Sequence, residues 1–73
     1  MTDPTPDPRA RHRLLEALDA EDVKLMDILG LIRADERAGR IPAAEAEMDV
    51  QGARDAHTAA CRKLREQFER GEL

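Results

Sequence analysis

The run Gly39-Arg40-Ile41-Pro42 constrains this chain more than any other feature of its sequence. Glycine reaches positive φ without the steric cost of a Cβ, so it ends helices; proline lacks an N–H and is tolerated where a helix begins. A stop followed so soon by a start predicts two helices folded back on one another, the first over Pro8–Ala38 and the second over Pro42–Arg70.

The apolar residues on either side of the hinge support this reading. Leu14, Leu15, Leu18, Leu25, Leu29 and Ile32 recur at intervals of three, four and seven, the period of an amphipathic helix. Glu21 and Asp22 interrupt the stripe, and Asp19-Ala20-Glu21-Asp22 has the form of a helix cap followed by first-turn acids. A three-helix bundle broken near Asp19 is therefore the alternative. The absence of Gly or Pro there favours a continuous helix. Past the hinge, Ala46, Val50, Ala53, His57, Ala60, Leu64 and Phe68 form a second stripe made mostly of small side chains. Ile41 and Ala46 stand where a hydrophobic staple would, and Gly71 where the second helix would end. Gly30, inside the densest apolar segment, is expected to admit another helix at close range or to mark a bend.

The two stripes are unequal in bulk. Of the 30 residues counted as hydrophobic, 12 are alanine, and Phe68 is the one aromatic. A chain of 73 residues with so little apolar volume makes a marginal monomer. The arc formed by Leu25, Met26, Ile28, Leu29, Leu31 and Ile32 is also wider than one alanine-rich helix can cover. The expected fold is thus all-α, a two-helix antiparallel hairpin over residues 9–73 that dimerises into a four-helix bundle. Residues 1–8, with three prolines, are expected to be a disordered tail in which Asp7 caps the first helix.

Charge and composition count against several classes. The net charge of −4 lacks the basic excess of a general nucleic-acid binder. The N-terminal MTDPTPDP has no apolar core and is not a secretory signal, and no apolar run approaches the roughly 20 residues of a membrane helix. A single cysteine, Cys61, excludes an internal disulfide and suits a reducing compartment. The expectation is a cytoplasmic protein with no membrane partner.

The chemistry-bearing residues are few. His57 and Cys61 lie one helical turn apart and are both zinc-ligand types, and two copies could join them as a His2Cys2 site. With no second cysteine and no CxxC, the expected role of the pair is packing, with no metal and no cofactor. As a base and nucleophile, the pair lacks oxyanion donors or a pocket. The carboxylates Glu16, Asp19, Glu21, Asp22, Asp27, Asp35 and Glu36 read as a solvated face, and the ExxH pattern of di-iron bundles is missing. Leu14 through Asp22 resembles the first helix of all-helical chorismate mutases, whose sites are cages of arginine and lysine around a dicarboxylate. The second half of the chain has no match to that family, and no catalytic residue follows from the resemblance.

What remains is a small non-enzymatic interaction or regulatory protein, an adaptor, inhibitor or antitoxin-like chain acting through a helical surface. Leu25, Ile28, Leu29, Ile32, Leu64 and Phe68 are the expected self-association residues. Asp19, Asp22, Met26 and Arg33 are the expected surface for a larger protein partner, mixing an apolar contact with charges of both signs. The alternative is a nucleic-acid-binding accessory protein. It would use a basic end where Arg9, Arg11 and Arg13 meet Arg62, Lys63 and Arg65.

Overall fold

A computed structural model of the chain describes residues 8–73. They form two α-helices, α1 (Pro8–Arg37) and α2 (Ala43–Glu69), and no strand occurs among them. Most of the expected tail, with the Asp7 cap, lies outside the described residues, and Pro8 already belongs to α1. At 1.5 Å per residue the helices are about 45 and about 40 Å long.

α1 runs unbroken through Asp19–Asp22. No residue there forces a break, and two side-chain contacts along the helix reinforce it: His12 with Glu16 at 2.9 Å and the ion pair of Lys24 with Glu21 at 3.2 Å. Both are exposed and contribute at most a few tenths of a kcal/mol each.

Both helices end in the same way. At Gly39, φ is 76°; its N–H donates to Glu36 O (3.1 Å) and the N–H of Arg40 to Asp35 O (2.9 Å). At Gly71, φ is 73°; its N–H donates to Phe68 O (3.1 Å) and the N–H of Glu72 to Gln67 O (2.8 Å). These are paired 5→2 and 6→1 closures, the Schellman arrangement, which satisfies carbonyls that the helix leaves open. At the first closure the Arg40 side chain also reaches back to Asp35 (Nε to Oδ1, 2.7 Å), an ionic pair where a hydrophobic contact is usual.

α2 begins one residue later than Pro42. The ψ of Pro42 is 159°, so it is the extended cap and Ala43 the first helical residue. Proline offers no side-chain acceptor, and its contribution is its main-chain oxygen, which receives the N–H of Ala46 at 3.0 Å.

Cross-helix contacts at three levels fix an antiparallel register. Arg33 meets Glu47 near the hinge (3.5 Å), His57 meets Asp22 at mid-length (2.6 Å), and Arg13 donates to the main-chain oxygen of Leu73 at the open end (2.8 Å). Between them lies a thin seam. Ala46 is fully buried, Val50 and Cys61 nearly so, and no large side chain is fully buried. Leu14, Leu18, Leu25, Leu29 and Ile32 of α1 and Leu64 and Phe68 of α2 are only half-buried. Alanine lets the helices approach closely but supplies little area to cover the leucines opposite. Gly30 does not admit the second helix: a Cβ placed on it would meet nothing within 4 Å, and α1 is not interrupted there.

Candidate functional site

The register brings Asp22 to a pair of side chains 35 and more positions away in sequence. His57 and Cys61 occupy successive turns of one face of α2, and Asp22 projects toward them from α1. His57 Nε2 lies 2.6 Å from Asp22 Oδ1 and 3.6 Å from Cys61 Sγ. One atom each of Asp22, His57 and Cys61 all fall within 4.8 Å of one another. Cys61 is buried, His57 is half-buried and Asp22 is exposed, so the trio runs from the seam outward to solvent. A carboxylate only accepts hydrogen bonds, so Nε2–H is the donor in the short contact with Asp22. With Leu18, Thr58 and Arg65, the three residues line a shallow groove of about 290 Å³.

Asp22 is the member that the sequence reading placed elsewhere, on the partner surface. The signal for it was present: a hairpin turning near residue 40 pairs position i with a position close to 80 − i. That relation puts Asp22 beside His57, just as it puts Arg33 beside Glu47.

On α1, helical geometry sorts the exposed residues onto two flanks of the seam. One flank carries Leu15, Asp19, Asp22, Met26 and Arg33 at intervals of four, three, four and seven. Leu15 and Met26 are exposed there, Met26 to 71%. The expected partner residues Asp19, Asp22, Met26 and Arg33 thus share one side, with Asp22 tied to His57. Arg33 donates to Glu36 (3.0 Å) and lies 3.5 Å from Glu47. The Glu36 hydrogen bond outweighs desolvation and, helped by the charges of Glu36 and Glu47, raises the Arg33 pKa.

The opposite flank carries Ile28 and Leu31, both exposed. Ile28 lines a small, largely apolar groove with Glu21, Lys24, Leu25, Ala53, Ala56 and His57. Of the expected self-association residues, Leu25, Leu29, Ile32, Leu64 and Phe68 are half-buried in the hairpin itself, and Ile28 stands open.

The basic residues are dispersed. Arg62 and Lys63 line a groove on the C-terminal part of the chain together with Arg70, Glu66 and Glu72. Arg65 belongs to the groove shared with Asp22, and Arg13 is engaged by Leu73. Arg9 and Arg11 lie exposed in the first turns of α1. Acids are therefore interleaved with these bases. No helix among the described residues is long and apolar enough to cross a membrane.

Comparison of the chain with protein-family models, with curated proteins and with solved structures found no match.

Proposed function

We propose that this chain is a small non-enzymatic interaction or regulatory protein that self-associates along one flank of its hairpin and offers the other to a larger protein. The observation that carries the reading is the mismatch between apolar surface and core. No large side chain is fully buried, while Leu15, Val23, Met26, Ile28 and Leu31 are all exposed along α1. An isolated two-helix unit of this kind leaves its leucines half wet, and a second copy against the Ile28–Leu31 flank covers them. The Met26 flank sets one large flexible apolar side chain among charges of both signs, a composition suited to a recognition centre with a polar rim.

The two flanks separate by mutation. Ile28→Asp or Leu31→Asp should shift sedimentation equilibrium at micromolar concentration toward the monomer. Met26→Asp should leave the oligomer and the helicity intact and lower capture of a protein partner from the native host at least about tenfold, the loss of a hot-spot residue. A wild-type chain that stays monomeric throughout the micromolar range and melts cooperatively would count against self-association. Loss of the oligomer in Met26→Asp would reassign that flank to the self-interface.

A further inference from the structure

We infer that Asp22, His57 and Cys61 form a binding site for one divalent zinc-type cation per chain, bridging α1 and α2. The donor set is a thiol, an imidazole and a carboxylate, the combination that borderline cations such as Zn2+ select over the oxygen-only sites of Mg2+ or Ca2+. Deprotonated Cys61 and Asp22 together carry two negative charges, so a dication leaves the site neutral.

The spacing fits. Zinc bonds of about 2.3 Å to sulfur and about 2.0–2.1 Å to nitrogen, at a tetrahedral angle, place the two ligand atoms about 3.6 Å apart. The Sγ and Nε2 atoms are separated by 3.6 Å. The same geometry asks for about 3.3 Å between nitrogen and a carboxylate oxygen. Nε2 and Oδ1 lie 2.6 Å apart, hydrogen-bonded, so the Asp22 side chain, 60% exposed, must move outward by that difference when the cation takes the place of the proton. The ligands are positioned without metal because His57 and Cys61 are fixed by their spacing on one helix, and Asp22 is held by its contact with Nε2.

Binding exchanges protons for the cation. The thiol releases its proton to solvent, and neutral His57 presents the Nε2 lone pair while its proton moves through solvent to Nδ1. Three protein ligands leave a fourth position, which opens onto the groove beside Thr58 and Arg65 and is filled by water. Because the ligands come from both helices, the folded hairpin binds the cation and the open chain does not, so the metal pins α1 to α2 at mid-length.

The test is Co2+ and Zn2+ titration of the full chain. Co2+ should give tetrahedral visible bands and a sulfur-to-cobalt charge-transfer band in the near ultraviolet, saturating at one equivalent per chain and displaced by Zn2+. Cys61→Ala should abolish the charge-transfer band. Asp22→Asn, which preserves shape at an exposed position, should weaken binding at least about tenfold with helicity unchanged, since even losses outside the ligand shell reach that size. Free Zn2+ at 100 times its Kd should raise the folded-to-unfolded ratio about 100-fold, seen as a higher Tm. The inference is overturned if no charge-transfer band appears, if Asp22→Asn binds as the parent does, or if saturation occurs at one cation per two chains. The last result would instead place His57 and Cys61 of two copies around a shared ion.

Discussion

Three glycines show how one side chain changes meaning with its backbone. Gly30 and Gly52 lie inside helices where an added Cβ would find open space within 4 Å, whereas Gly39 holds φ at 76°. In the first two, glycine only adds freedom to the unfolded chain, so Gly30→Ala and Gly52→Ala should each stabilise the hairpin by about 0.5–1 kcal/mol. At Gly39 the same substitution forces a Cβ into the left-handed region and should destabilise by about 1 kcal/mol. Urea unfolding of the three variants checks the pattern; a uniform sign across them would refute it. Gly39 was legible in the sequence because proline follows so closely. The role of Gly30 was not, because an interior glycine signals close approach, bending or neither with the same letter. The contact of Asp22 with His57 was not legible for a related reason: the two are 35 positions apart, and a periodic stripe describes one helix at a time.

At the scale of the helices, the seam of α2 is a spacing device more than a reservoir of buried area. Ala46 is fully buried and Val50 is 6% exposed, close to the hinge, where α1 and α2 are joined by residues 38–42. Ala46→Leu must push the helices apart and should cost about 1–3 kcal/mol, the usual penalty of overpacking. Val50→Ala removes two methyl groups from one of the few buried positions and should cost about 1.5–2.5 kcal/mol. Denaturant midpoints on both variants decide the matter. Costs near zero would mean that the hinge end of the seam opens readily in solution. Both helices, their order and their ends were readable within a residue or so, since capping and periodicity act locally. The start of α2 moved to Ala43 because Pro42 takes an extended ψ. In α2, Arg62, Lys63 and Arg70 share a groove with Glu66 and Glu72, a mixture that a count of charges along the chain does not reveal.

For the whole molecule, a sequence could disclose that the apolar surface outruns the core, since alanine content and chain length already bound the buried area. It could not disclose how the surplus is divided, because the two flanks of α1 become distinct only once α2 lies between them. The thin seam has a further consequence for dynamics. Amide hydrogens exchange slowly where opening a hydrogen bond requires breaking the whole fold, and a unit with no fully buried large side chain has few such places. Under the proposed self-association, deuterium uptake by the amides of Leu25 to Ile32 should depend on protein concentration, slowing severalfold as the chain is taken from high nanomolar to high micromolar, while the amides near Gly71 exchange at one rate throughout. Slow exchange would then belong to the proposed assembly rather than to the individual chain.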